Sequence, residues 1–157
     1  MITLRRAELR DCRTIFNWRN HPEVRRHFFD PRRLSYEEHE KWFKSSLEKK
    51  DRFIFLAYRG DHAVGVLRFD ILDEMPGTAE VDIYVAPDYQ GRGLGKSILH
   101  EGERWVKKSG NIQKLVAKVK DENEASLRMF RACGFSVKYV LFEKFLIEEG
   151  EVHHLGP

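Results

Sequence analysis

Apolar positions along the chain change period several times, and each change marks an element. Ile2–Arg5 is a short β-prone run, and a helical stretch starts near Glu8 with Cys12, Ile15, Phe16 and Arg19 on one side. After Asn20-His21-Pro22 a short helix restarts over Glu23–Phe28, since proline suits a first helical turn. Ser35-Tyr36-Glu37-Glu38 has capping-box spacing, with Ser as N-cap and Glu three residues on. Trp42, Phe43 and Leu47 then supply the apolar stripe of the next helix. Arg52–Tyr58 and Ala63–Asp70 are β-rich runs joined by a hairpin turn at Arg59-Gly60-Asp61-His62. A second turn at 73–77 leads into a strand over Thr78–Ala86. There Ala79, Val81, Ile83 and Val85 alternate with Glu80, Asp82 and Tyr84, so one face carries two carboxylates and a phenol.

Pro87 ends that strand, and a helix begins around Gly93, with Leu94, Ile98, Trp105 and Val106 at helical spacing until Ser109-Gly110-Asn111. Lys114–Val119 is a further strand and Asn123–Ala132 a further helix, apolar at Leu127, Met129 and Phe130 and ended by Gly134. Ser136–Ile147 and Glu151–Leu155 predict a final antiparallel pair around Glu149-Gly150. The order β-α-α-β-β-β-α-β-α-β-β predicts an α/β (α+β) fold, one central mixed sheet with helices on both faces.

Composition narrows the class. The 157 residues contain no repeat and no linker, so one domain over 1–157 is expected, and 41% hydrophobic residues suffice for its core. No apolar stretch approaches the ~20 residues of a membrane span, and the amino terminus lacks a secretory h-region. A cytoplasmic protein without membrane contact is the expectation. Cys12 and Cys133 are too few and too far apart for a disulfide framework or a four-ligand zinc site, so buried thiols and no metal are expected. A net charge of +3 does not imply nucleic acid, but it is unevenly spread. The first fifty residues hold 13 Lys+Arg against 8 Asp+Glu, and Arg25, Arg26, Arg32 and Arg33 flank the pair Phe28-Phe29.

The most informative stretch is Gln90-Gly91-Arg92-Gly93-Leu94-Gly95-Lys96-Ser97, between a strand and a helix. Glycines let the backbone approach a ligand, and the N–H groups of the helix start suit phosphate oxygens. The Walker pattern would need a glycine at Gln90, and the Rossmann loop would need one at Lys96, so neither nucleotide motif is met.

The motif that is met, [QR]-x-x-G-x-[GA] with Gln90, Gly93 and Gly95, resembles the loop by which GNAT acetyltransferases hold the pyrophosphate of acetyl-coenzyme A. The strand end Ile83-Tyr84-Val85-Ala86-Pro87 and the run from Asn123 and Ser126 to Gly134-Phe135 accompany it in the family's order, over about residues 78–135. The resemblance implies a single GNAT-type acyl-CoA N-acyltransferase domain with a mostly antiparallel sheet, an acetyl-CoA co-substrate and, at family level, a homodimer. It implies that the Ile83 amide meets the thioester carbonyl and that the Tyr84-Val85 strand end lines pantetheine. The loop from Gln90 through Gly91, Arg92, Gly93, Leu94, Gly95 and Lys96 would hold the phosphates, with Asn123, Ser126 and Phe130 contributing from the following helix. Glu80 is the leading base and Asp82 the second, because both lie on the strand face that looks into the wedge. Many relatives carry a tyrosine as acid where this chain has Phe130, so either Tyr84, a water or solvent substitutes, or protonation of the thiolate does not limit the rate.

Trp18-Arg19-Asn20-His21-Pro22-Glu23-Val24-Arg25 and the later Ser35-x-x-Glu38-His39-x-x-Trp42-Phe43 are similar to a GNAT branch. That branch includes ribosomal-protein N-terminal acetyltransferases and the amino-sugar nucleotide acetyltransferases of pseudaminic acid biosynthesis. The likeness implies acceptor contacts by Trp18, Arg19, Asn20, His39 and Trp42. The acceptor it favours is the 4-amino group of a UDP-linked amino-deoxy sugar. Protein N-terminal or aminoglycoside acetylation and a non-catalytic acyl-CoA sensor are the alternatives.

Overall fold

Alternation along the strands sorts side chains onto two faces of one sheet, and each face is covered by its own helices. The computed structural model describes residues 1–147. The chain runs through β1 (Ile2–Arg6), α1 (Cys12–Asn20), α2 (Pro22–Arg25), α3 (Tyr36–Glu48), β2 (Arg52–Arg59) and β3 (His62–Ile71). It continues with β4 (Thr78–Val85), α4 (Leu94–Ser109), β5 (Lys114–Val116) and α5 (Glu124–Ala132). The strands lie in sequence order. β1 to β4 are antiparallel and β5 joins β4 in parallel.

On one face Phe55, Leu67, Phe69, Ala79 and Val81 meet Ile98, Leu99 and Val106 of α4. Trp105 lies within 5.0 Å of the Phe53 and Phe55 rings and stacks on Phe69 at 5.8 Å. On the other, Ile54, Leu56 and Val66 meet Cys12 and Ile15 of α1 and Phe43 of α3. Burying a side chain such as Phe43, which is 0% exposed, contributes about 1.5–3 kcal/mol. The capping box forms as its spacing predicts: Glu38 N–H donates to Ser35 Oγ at 3.2 Å, and Ser35 N–H to Glu38 Oε2 at 3.1 Å.

Three elements depart from the sequence pattern. The second helix spans only Pro22–Arg25, because the chain turns so that the Phe28 ring meets Tyr84 edge-on at 5.6 Å. β5 stops at Val116 rather than Val119, since only its first three residues have a partner on β4. Ser136–Ile147 forms no strand, and its apolar side chains are exposed, Phe142 at 90% and Leu146 at 88%. A β-prone run becomes a strand only where a neighbour offers a ladder and a face to cover. Its expected partner, Glu151–Leu155, lies outside the described residues.

Candidate active site

The site starts from a geometric break in the sheet. Ala86 N–H donates to Val64 O on β3, while Gly77 O accepts from Gln113 and Lys114 at the start of β5. With the regular register between β3 and β4, even-numbered backbone groups of β4 therefore face β3 and odd-numbered ones face β5. Pairing with β5 ends at Glu80↔Val116. The backbone groups of Val81, Ile83 and Val85 thus point into a wedge where the two parallel strands part. Gln90 Nε2 donates to Val85 O at 3.3 Å and ties the loop to this strand end.

At the wedge mouth Gly91 and Gly93 take positive φ, 77° and 72°, and nothing lies within 4 Å of where a Cβ would stand on either. Gly93 caps α4, so the N–H groups of Leu94, Gly95 and Lys96 are first-turn donors at the positive end of a 16-residue helix. Arg92 braces the loop through Asp88 O at 3.2 Å. A Cβ on Gly95 would come 2.8 Å from Met129 Sδ, so a side chain here would push the methionine of α5 aside. An open backbone cradle beside unpaired strand groups fits a long phosphate-bearing thioester.

From α5, Asn123 acts as N-cap, its Oδ1 accepting the Ser126 N–H at 3.3 Å. This leaves the Asn123 amide NH2 and the Ser126 hydroxyl for other partners. Phe130 is 8% exposed and packs edge-on against Phe135, a core position with no proton to give.

Opposite α4, the even-numbered side chains of β4 face α1 and α3. Glu80 is partly buried, with Lys118 Nζ 3.7 Å from its carboxylate. Asp82 has Arg68 Nη2 at 3.5 Å, and Arg68 also holds Asp70 at 3.0 Å together with Arg52 at 2.6 Å. Burial, and then the Asp82 charge, push the Tyr84 phenol above its usual pKa, so it keeps its proton. Arg19 lies over the Phe28 ring at 4.1 Å and donates to Asp30 O at 2.8 Å, while its Nη1 is buried with no acceptor among the described residues.

The remaining expected acceptor residues separate. Trp42 is 40% exposed, with the Arg52 and Arg68 guanidiniums over its ring, whereas Trp18 packs against the core between α1 and α3. Asn20 is committed to the backbone of Leu34, donating to its O at 2.7 Å and accepting its N–H at 2.9 Å. His39 is 1% exposed, stacked on Phe43; burial and then the Arg19 charge push its pKa down to about 4, so it is neutral. Arg68 was absent from the sequence-based set. Its signal was cross-strand: on β3 it stands directly opposite Asp82, which only a correct pairing register reveals.

A parted parallel pair feeding a glycine-lined helix start is the arrangement of acyl-coenzyme A N-acyltransferases. The acetyltransferase (GNAT) domain family matches residues 1–136, and the chain belongs to it. As a member it is an N-acetyltransferase, of the family that takes its acetyl group from acetyl-CoA. The chain is 25% identical to the acetyltransferase PseH of Campylobacter jejuni over 83% of this chain and 82% of that one. Spermidine N(1)-acetyltransferase of Vibrio cholerae is 24% identical, over 93% and 85%. In fold, a crystal structure of the Vibrio cholerae spermidine acetyltransferase with CoA and spermine superposes with a TM-score of 0.82 at 24% identity, covering 94% of this chain and 88% of that one. The aminoglycoside acetyltransferase AAC(6')-Ib with coenzyme A gives 0.80 at 16%, covering 88% and 86%. Among the described residues no helix is long and apolar enough to cross a membrane, and no group of three or more His, Cys, Asp or Glu side chains is placed to hold a metal.

Proposed function

We propose that this acetyltransferase acts on the primary amine of an anionic small molecule, and that the acceptor is the 4-amino group of a UDP-linked amino-deoxy sugar. One observation carries the reading: the carboxylates on the acceptor face are each neutralised, Glu80 by Lys118, Asp82 by Arg68 and Asp70 by two arginines, while Arg19 has no carboxylate partner among the described residues. A polycationic amine would meet no free negative charge there. A diphosphate would find guanidinium donors, and Trp42 and Phe28 offer flat surfaces for a sugar or base.

Acetyl-CoA, when bound, supplies the activated acetyl carbonyl. The odd-numbered backbone of β4 holds its pantetheine arm, with the Ile83 N–H at the thioester oxygen, and the amides from Gly91 to Lys96 hold its phosphates. One such donor at a developing oxyanion contributes about 2.7–4 kcal/mol. The amine nitrogen bonds to the acetyl carbon, the carbon–sulfur bond breaks, and the sulfur leaves with the electron pair. Glu80 takes the ammonium proton, directly or through water, with Asp82 as the second candidate, and Tyr84 remains protonated as donor to the leaving sulfur. Asn123 NH2 and the Ser126 hydroxyl bond the pantetheine arm.

Thiol release from acetyl-CoA, measured with UDP-amino sugars, spermidine, aminoglycosides and peptides, tests the acceptor. Turnover confined to peptides or polyamines refutes the sugar nucleotide. The homodimer belongs to the same reading. The exposed run of one copy, with Tyr139, Phe142, Phe145, Leu141 and Leu146, pairs with the β5 edge of a second, which no strand among the described residues covers, burying on the order of 800 Å² per copy, as a standard interface does. Sedimentation should show a dimer that Tyr139→Lys with Phe142→Lys converts to monomer; a wild-type monomer at micromolar concentration refutes it.

A further inference from the structure

Beyond the wedge, a cleft of about 310 Å³ opens between α1, the α1–α2 turn and the loop before α3. Phe16 and Pro22 form its apolar walls, and Asn17, His21, Arg25 and Arg33 its polar ones, with no Asp or Glu in the lining. The neighbouring arginines are neutralised: Arg26 by Glu23 at 3.0 Å, and Arg32 by Asp30 at 2.9 Å and Glu38 at 3.3 Å. Arg25 and Arg33, the two that line the cleft, have no carboxylate within ion-pair distance among the described residues. Arg25 Nε is buried without a protein acceptor. His21 Nδ1 accepts the Glu23 N–H at 3.2 Å, which leaves its ring proton on Nε2 as another donor.

A buried guanidinium nitrogen without an acceptor, such as Arg25 Nε, is costly, and the group that satisfies a guanidinium best is a planar or tetrahedral oxyanion. Arg25, partly exposed, and Arg33, exposed, lack a carboxylate among the described residues and give the concave site a positive charge that favours an anion over a neutral or cationic ligand. The cleft also borders the acceptor face along α1. Asn20 lines it, adjacent Arg19 lies over Phe28, and Phe28 meets Tyr84 on β4. We infer that this cleft is the diphosphate subsite of the acceptor, with Arg25 and Arg33 gripping the phosphates and His21 and Asn17 as additional donors. The inference rests on the anionic-acceptor reading and deepens it by assigning the residues that select a nucleoside diphosphate.

Calorimetry of UDP and of inorganic pyrophosphate, titrated into protein saturated with coenzyme A so that the glycine loop is filled, tests the assignment. Arg25→Gln and Arg33→Gln should each weaken both ligands by at least about tenfold, the scale of a charge-assisted contact. Arg26→Gln, at the ion-paired neighbour, should change neither. Coenzyme A affinity and Tm should be retained throughout. Arg25→Lys should recover only part of the binding, because an ammonium lacks the guanidinium fork. Unchanged UDP and pyrophosphate affinity in the Arg25→Gln, Arg33→Gln double variant overturns the assignment. The two readings fail differently. Arginine-dependent UDP binding without acetylation of any UDP-amino sugar removes the acceptor and leaves the subsite. Turnover of the sugar nucleotide with an unaltered KM in the double variant removes the subsite and leaves the acceptor.

Discussion

Gly65→Ala probes how β4 is held at the wedge. On β3, Gly65 pairs with Val85 of β4, and a Cβ there would stand 2.7 Å from Tyr84 O and 3.0 Å from Ile98 Cδ1. Ile98 can rotate away, but the carbonyl belongs to the strand backbone. Carbon–oxygen contacts settle at about 3.3–3.6 Å, so β4 must retreat from β3 by at least ~0.6 Å, into the wedge. Overpacking of this kind costs about 1–3 kcal/mol, or about 2–12 °C in Tm for a chain of this size. Function should suffer beyond that loss, because the displaced segment carries the backbone of Ile83 and Val85. A misplacement of ~1 Å at a reacting group costs up to about a hundredfold, so a drop in kcat/KM for acetyl-CoA of roughly tenfold or more is expected. Gly102→Ala is the control. On α4 its Cβ would meet Leu67 Cδ2 at 2.5 Å and Phe69 at 3.0 Å, side-chain atoms of the core that can shift without displacing the backbone of β4. It should lower Tm, less about 1 kcal/mol regained in helix propensity, and leave acetyl-CoA kinetics unchanged. Wild-type kinetics in Gly65→Ala, or equal kinetic losses in the two variants, would refute the reasoning.

Burial lowers the His39 pKa from 6.5 to about 4, so between those values the unfolded chain takes up a proton that the folded one refuses. Stability should therefore fall as pH drops from about 6.5 to 4, by at most ~3 kcal/mol from this group, and His39→Phe should flatten that part of a Tm-against-pH curve; an identical slope refutes it. Asn123→Asp keeps an oxygen for the Ser126 N–H but removes the amide donor, so Tm should hold while coenzyme A affinity drops about tenfold by calorimetry; retained affinity would limit Asn123 to capping. Ser35→Ala should cost about 1 kcal/mol, or ~2–4 °C in Tm, with kcat intact, because it removes half of the α3 capping box. Glu80→Gln should lower kcat while leaving acetyl-CoA affinity unchanged, and an unaltered kcat excludes it as the base.

Features whose cause is local were legible in the residues alone. The Ser35 capping box, the alternation that puts Glu80, Asp82 and Tyr84 on one face of β4, and the glycine loop before α4 each depend on neighbours a few positions away, and each stands where its pattern placed it. The groups to which we assign the coenzyme were legible for the same reason, because they are backbone groups of one strand end and one helix start. What depends on distant partners was decided by tertiary structure. Whether β5 runs to Val119 or stops at Val116 is set by where two strands part. Whether Ser136–Ile147 becomes a strand is set by what lies beside it. The same holds for side chains. Trp42 and His39 share a helix three residues apart, yet one is 40% exposed under two guanidiniums and the other is 1% exposed and neutral. Arg25 and Arg26 are adjacent, yet only one has a carboxylate. Composition counts both as positive charge, but an arginine's availability depends on which anion the fold brings within reach, because pairing in space, not order along the chain, fixes its electrostatic energy.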